Sequence, residues 1–288
     1  MSKLPRKRKP KPPINPTLLI GEILGEKAYL GQNPKLASFE CPYIKRECTK
    51  RGQKGEATEP YPICSIWRGG PKHGDAETDL IIVCPNRLRE TDFFKEVVDR
   101  CWPGDKPQII KIASEVAMKG FGNVDFVIAE VSSDKDIKQF ISVELQSVDI
   151  TGSVRKAYDA IKEGLLLEKR PNSSFNWDNV YKRYVTQLIR KGYFHHHWNT
   201  KIVSVIPDQV YEYIINKAGF VTTGDVSDPQ VNVIFMTYVL REESDGQFKP
   251  ILKKVRGAGH SAIQAAIMYK SAPSISDFKL RILGALRR

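Results

Sequence analysis

Residues 141–146, Ile-Ser-Val-Glu-Leu-Gln, alternate apolar and polar side chains with a period of two. They lie inside the longer run Phe140 to Asp149, and a second apolar-rich run, Asn123 to Glu130, precedes it across the polar segment Ser132 to Lys138. Two such runs around a polar connection predict a β-hairpin. Gln108–Ala113 and Glu115–Met118 read as further strands just upstream. Downstream, Thr151 is an N-cap candidate for a helix through Leu167, with Ala157, Tyr158, Ile161 and Leu165 on one face. A second helix is expected over Asn176–Lys191, with Val180, Tyr184, Gln187 and Leu188 at helical spacing. Strands at Lys201–Ile206 and Val231–Tyr238 bracket a helix over Asp208–Lys217, and a last helix is expected around Ser261–Lys270. Strand, helix and strand in this order predict an α/β fold, a mixed sheet flanked by helices.

The first third reads differently. Pro16–Leu24 is a short amphipathic helix candidate, and residues 41–104 look irregular apart from a helix at Asp92–Cys101 that Trp102-Pro-Gly104 ends. The expected organisation is a basic arm over 1–14, a small module over 15–104 and a larger domain over 105–288.

Charge narrows the class of partner. The 288 residues carry 45 Lys and Arg against 33 Asp and Glu, a net charge of +12. Lys3, Arg6, Lys7, Arg8, Lys9 and Lys11 supply half of it from a Pro-rich arm without acids, which is expected to be disordered and either solvated or laid along phosphates. The remainder is basic as well, which favours a polyanion such as double-stranded DNA. No apolar run reaches the roughly 20 residues that span a bilayer, and the basic start lacks the apolar middle of a secretion signal, so the expectation is a cytoplasmic protein without membrane contact.

Candidate chemistry sits on the hairpin. Side chains at i and i+2 of a strand share a face, so Glu144 and Gln146 point the same way, and pairing of the two strands brings Asp125 beside Glu144. Two carboxylates and an amide at one point suit a hard divalent cation such as Mg2+. Solvent-facing polarity is the plainer alternative for each residue alone. Cys41, Cys48, Cys64 and Cys84, separated by 6, 15 and 19 residues, are either four tetrahedral ligands for zinc or iron or four ordinary buried thiols, with Cys101 packed in its helix. Arg155 and Lys156 open a helix where backbone N–H groups also hold anions. Lys182, Arg183, Arg190 and Lys191 recur along the second helix among tyrosines, and Asn86 and Arg87 follow Cys84. All of these are candidate DNA contacts, with a solvated face the alternative for the four on the second helix. His195, His196 and His197 are adjacent, and neighbouring residues rarely converge on one metal.

Several blocks then fall in a consistent order between about residues 25 and 240. They are Cys41-Pro-Tyr43, Val83-Cys-Pro-Asn-Arg87, Asp125 on a strand ending Ala-Glu-Val131, Glu144-Leu-Gln146, Asp149 with Gly152-Ser153, Asn179-Val-Tyr-Lys-Arg183 and Ile206-Pro207. In this set the chain resembles the NotI-type restriction endonucleases. The resemblance implies a PD-(D/E)xK nuclease core behind a small domain in which four cysteines hold one metal, iron in that family. Carried over by position, the metal ligands are Cys41, Cys48, Cys64 and Cys84, and the catalytic set is Glu115, Asp125, Glu144 and Gln146. It implies Mg2+-dependent, site-specific cleavage of double-stranded DNA by a homodimer. The chain departs from the pattern in a shorter loop between Glu115 and Asp125 and in an abbreviated insertion upstream. Gln146 stands where many such nucleases carry Lys, and an amide cannot serve as a cationic base. The rival readings are a related nuclease of repair, recombination or a mobile element, and a non-catalytic DNA-binding regulator.

Overall fold

The computed structural model describes residues 12–51, 59–69, 75–132, 136–270 and 274–286; the basic cluster from Lys3 to Lys11 lies outside them. The described chain opens with a 3-10 turn, Pro16–Leu18, whose N-cap Asn15 accepts the Thr17 N–H. It then enters strand β1 (Ile20–Ile23) rather than the amphipathic helix expected there. All four residues of β1 are buried, and a Cβ at Gly21 would stand 2.2 Å from Leu80 Cδ1. Close sheet pairing overrides the helical pattern.

After β2 (Glu26–Lys27), the small hairpin β3 (Glu40–Cys41) and β4 (Arg46–Glu47) carries the first cysteine. Strand β5 (Ile63–Trp67), the short helix α1 (Ala76–Asp79) and strand β6 (Leu80–Ile82) follow. Strands β2, β1, β5 and β6 form one antiparallel sheet in that order. Residues 41–104 are therefore more regular than expected. Ile63-Cys-Ser-Ile-Trp67 and Leu80-Ile-Ile82 are buried throughout, and such short runs show no alternation to read. Helix α2 (Phe93–Cys101) forms where expected, with Asp92 accepting the Lys95 N–H.

The main sheet begins with β7 (Ile110–Met118), one strand where two were expected, and continues through β8 (Gly122–Val131) and β9 (Ile137–Leu145). Strand β10 (Ile150–Gly152) intervenes before α3 (Arg155–Glu163), so this helix starts later than Thr151 and ends before Leu165, which is exposed. Its expected face of Ala157, Tyr158 and Ile161 is buried. Strand β11 (Ser173–Phe175) pairs with β10. Next, α4 (Trp177–Asn179), a π-helical stretch over Val180–Val185 and α5 (Thr186–His197) run as one helix, longer than expected. Strand β12 (Lys201–Pro207), helix α6 (Asp208–Ala218) and strand β13 (Val233–Glu242) match the sequence pattern. Strand β14 (Phe248–Ala258) and helix α8 (Ile275–Leu286) were not anticipated; α7 (His260–Met268) was.

The sheet order is β14-β13-β12-β9-β8-β7, parallel at β9/β12/β13 and antiparallel elsewhere. This is a mixed α/β architecture with a central sheet flanked by helices. Val203 and Val205 of β12 face the cluster that includes α2, while Ile202 and Ile206 face the cluster with α3, α5 and α6. Trp67, Leu80, Ile82 and Phe93 share a core with Ile128, Val143 and Met236. The cysteine-bearing part and the main sheet are thus built around common hydrophobic cores.

Arg87 is where the structure departs most sharply from a DNA-contact reading. Its guanidinium is fully buried, donating to Glu22 Oε1 from Nε at 3.0 Å and Nη2 at 2.9 Å, to the Phe248 carbonyl at 2.6 Å and to Glu90, with the Tyr43 ring 5.3 Å away. These bonds fasten β1 and the 3-10 turn Pro85–Glu90 to β14, and leave Arg87 no reach to a phosphate. Arg87→Met should cost about 3–5 kcal/mol because Glu22 is left as an uncompensated buried charge. Adding Glu22→Leu should recover most of that loss, which urea denaturation of the single and double variants would measure.

Tyr184, Leu188, Lys191 and His195 form the sheet-facing stripe of the long helix, and three of the four are polar. The Tyr184 hydroxyl bonds Ser204 Oγ, and His195 spans from the Lys191 carbonyl (Nδ1, 2.7 Å) to Ser142 Oγ (Nε2, 2.7 Å). A carbonyl only accepts, so Nδ1 carries the proton and Nε2 accepts from Ser142. Burial drives the His195 pKa down to about 4. The unfolded chain protonates this imidazole near pH 6.5 and the folded chain does not, so stability is lost as pH falls from 6.5 towards 4, by about 3 kcal/mol at the end of that window. Thermal melts of the parent and His195→Gln across this range should show the steeper acid loss in the parent.

Candidate active site

Pairing in the sheet decides which side chains meet. Phe126 lies opposite Val143 on β9, so the next step sets Asp125 across from Glu144. On the other side, Ser114 pairs with Phe126 and Val116 with Val124, and between these pairs Glu115 faces Asp125. Residues opposite one another share a face, so Glu115, Asp125 and Glu144 form a row across three strands. Glu115 holds a left-handed backbone, φ +53°, which a non-glycine residue rarely adopts. Such local strain recurs at functional sites. Asn123 reaches Glu115 Oε2 at 3.4 Å.

Asp125 Oδ2 accepts the Leu145 N–H at 2.7 Å, which ties the carboxylate to the end of β9. Burial raises the Asp125 pKa and Glu115 adds to the rise, against the pull of that N–H, Lys191 and Arg89. Glu144 is pushed up to about 7, again by burial first, with Asp125 and Glu115 adding and Lys191 opposing. The row therefore gathers carboxyl groups that repel one another, a repulsion that Lys191 opposes only in part. Hard carboxylate oxygens in that condition suit a divalent cation. Among the described residues, no three His, Cys, Asp or Glu side chains are arranged to hold a metal ion.

Gln146 lies one residue past β9 and is not joined to the row. Its backbone N–H continues the pairing to the Val205 carbonyl at 3.1 Å, while its side-chain amide turns to the Ser147 carbonyl. Instead, a cation missed as a site residue stands beside the carboxylates. Lys191 Nζ donates to Glu144 Oε1 and to the Asn123 carbonyl at 2.7 Å, and its side chain is only 7% exposed. The sequence offered it only as one basic residue of a helix; the signal that sets it apart is its place on the stripe with Tyr184, Leu188 and His195.

Of the four cysteines, Cys41 ends β3, Cys48 directly follows β4, Cys64 is on β5 and Cys84 lies two residues after β6. Cys48 and Cys84, Cys41 and Cys84, and Cys64 and Cys84 are near enough to feel one another's charge. Backbone N–H groups aim at three of the sulfurs: Lys50 at Cys48 (3.4 Å), Gly25 at Cys64, and Asn86 with Arg87 at Cys84. Such bonds favour thiolates, but burial outweighs them and raises the pKa of Cys48, Cys64 and Cys84. Lys50 also donates from Nζ to the carbonyls of Ile63 (3.2 Å) and Val83 (3.0 Å), the residues just before Cys64 and Cys84. The donor set thus fits a thiophilic ion, although the sulfurs are not closed around one point. Cys101 packs apart from them against Met236.

Of the remaining basic candidates, Lys156, Lys182 and Arg183 are exposed and Asn86 is half-buried. Arg155 is largely engaged, pairing with Asp159 at 3.0 Å and Glu59 at 3.5 Å. With Lys156, Lys169 and Arg170 it lines a cleft of ≈ 770 Å³, a basic concavity next to β10 and β11. No helix among the described residues is long and apolar enough to cross a membrane.

The comparisons with known proteins agree with this layout. The family model described as restriction endonuclease NotI matches residues 22–249, more than three quarters of the chain. No curated protein and no solved structure matches. The matched span takes in the gathered cysteines, all three carboxylate strands and the helix that covers them, and the chain accordingly belongs to the NotI restriction endonuclease family, type II enzymes that act on DNA.

Proposed function

We propose that the chain is a Mg2+-dependent endonuclease of the PD-(D/E)xK type that hydrolyses phosphodiester bonds of double-stranded DNA at a specific site. The observation that carries this reading is the row Glu115, Asp125, Glu144 on adjacent strands of a basic protein. Asp125 and Glu144 would hold Mg2+, which supplies Lewis-acid polarisation of the phosphate, and Glu115 would complete the oxygen donors. The protein's own contribution is rigidity. Asp125 is held by the Leu145 N–H, and Glu144 stands on a strand buried between β8 and β12. Gln146 would orient water or a phosphate oxygen only after its amide leaves the Ser147 carbonyl. Lys156, Lys182, Arg183 and Asn86 would contact the DNA, with Arg155 beside them. Cutting both strands of a two-fold site needs two such rows, so the working unit in this reading is a homodimer.

Cys41, Cys48, Cys64 and Cys84 would bind one iron or zinc ion, which supplies a staple for a sheet of very short strands.

Glu144→Ala should lower cleavage of a mapped phage DNA in Mg2+ by about 10³-fold or more, while DNA affinity in Ca2+ stays within a few-fold. Parental cleavage by this variant would remove the hydrolase assignment. For the second site, Cys64→Ser should abolish bound iron and zinc by elemental analysis and lower the melting temperature; unchanged metal content would exclude this cysteine as a ligand.

A further inference from the structure

The inference concerns the cation at the carboxylate row and rests on the hydrolase reading. Lysine is among the side chains least often fully buried, and a buried ion pair contributes little net stability compared with apolar packing. Lys191 is nevertheless enclosed on the stripe of α5 that faces the sheet. The helix reaches this depth because residue 192 is glycine. A Cβ there would lie 2.6 Å from Val233 Cγ2 and 3.1 Å from His260 Cβ, so a larger residue would lift the helix from the sheet. His195, one turn on, accepts the Ser142 proton and donates to the Lys191 carbonyl, which holds the register of this turn. The ammonium is thereby fixed over Glu144.

An ammonium has three N–H donors. Two of those on Lys191 go to Glu144 Oε1 and the Asn123 carbonyl. Among the described residues none accepts the third. The strand position two residues after Glu144, from which a lysine would reach the same place, is Gln146, whose amide is neutral and engaged with Ser147.

We propose that Lys191 is a catalytic residue of this endonuclease, supplying from α5 the positive charge that position 146 lacks, with its third N–H directed at a non-bridging oxygen of the scissile phosphate. During hydrolysis the water oxygen bonds to phosphorus as the bond from phosphorus to the departing sugar oxygen breaks. The water's proton leaves to solvent and the sugar oxygen takes one from solvent. Lys191 remains an ammonium throughout and offsets the charge that builds on the phosphate oxygens, which is the term a preorganised cation serves best.

The test uses the full chain with mapped phage DNA in Mg2+, affinity by fluorescence anisotropy in Ca2+, and circular dichroism melts. Lys191→Met should cut at least about 10²-fold more slowly with DNA affinity within a few-fold of the parent. Combining Lys191→Met with Gln146→Lys returns an ammonium to the row from the strand and should restore cleavage at least tenfold, a rescue that a merely structural lysine would not allow. If Lys191→Met does not fold, Lys191→Gln replaces it in both arms, since its amide can still bond the Asn123 carbonyl. Parental cleavage by the folded single variant, or no gain from Gln146→Lys, overturns the proposal. If Glu144→Ala is inactive in the same assay, the hydrolase reading survives that failure; if Glu144→Ala cleaves normally, the reading itself has failed.

Discussion

Antiparallel register between β8 and its two neighbours is the constraint on which the site depends. It sets Glu115 across from Asp125 and Asp125 across from Glu144. A slip of one residue would send each carboxylate to the opposite face, into the cluster of Phe126, Ile128, Ile141 and Val143. Those four residues are therefore as much part of the site as the acids. Their burial against α2 specifies the register that the chemistry uses, so the apolar face of the hairpin holds the polar face in place.

Crowding acids on a sheet face has an energetic consequence that the covering helix answers. Burial and the neighbouring Asp125 and Glu115 push Glu144 up to about 7 even against the pull of Lys191. Helix α5 is built for such a surface. Where a core helix would present Leu or Ile, it presents Tyr184 to Ser204, Lys191 to Glu144 and His195 to Ser142. Ser142, Glu144 and Ser204 on the strand side each meet a partner on the helix, which is the condition for a polar seam to order a core rather than weaken it. The π-helical stretch over Val180–Val185 carries Tyr184, the first residue of this seam, and such stretches widen a helix where side chains must be re-aimed.

How much of this could be read from the chain depended on sequence distance. Asp125 and Glu144 were legible because a strand alternates every two residues and the hairpin that joins them is local. Lys191 was not. It lies 47 residues beyond Glu144, on a helix where four basic residues look alike, and only docking of that helix selects one. Arg87 misled for a similar reason: its partner Glu22 is 65 residues earlier and its carbonyl acceptor at Phe248 is 161 residues later. Position beside a cysteine motif suggested a surface role that a three-way buried clasp contradicts. Gln146 was placed by strand periodicity, and its N–H does continue the pairing to Val205, but its amide turns to the Ser147 carbonyl, a rotamer choice that periodicity does not report. Strands β5 and β6 escaped because both of their faces are buried and a uniformly apolar run of three to five residues has no period.

The cysteine-bearing sheet is too small to stand alone, and the contacts say what it stands on. Trp67, Leu80 and Ile82 pack into the core that lies under β8, β9 and β12, while Glu59 holds Arg155 at 3.5 Å and Lys162 at 3.3 Å from α3. Arg87 reaches across to β14 from the turn that follows Cys84. Lys50 joins the strands before Cys64 and Cys84 through their preceding carbonyls, and Asp149, just beyond β9, contributes to its electrostatic environment. Asp149 in turn accepts from Asn179 at 3.2 Å, at the entry to the helix that carries Lys191. Hydrogen bonds, shared packing and the electrostatic influence of Asp149 on Lys50 thus lead from the thiols toward the helix that covers the carboxylates. An ion closing the four sulfurs would restrain β5 and β6, and through the shared core it would restrain the register of the hairpin β8/β9 as well. In the proposed reading such an ion would brace the carboxylate row from the neighbouring sheet.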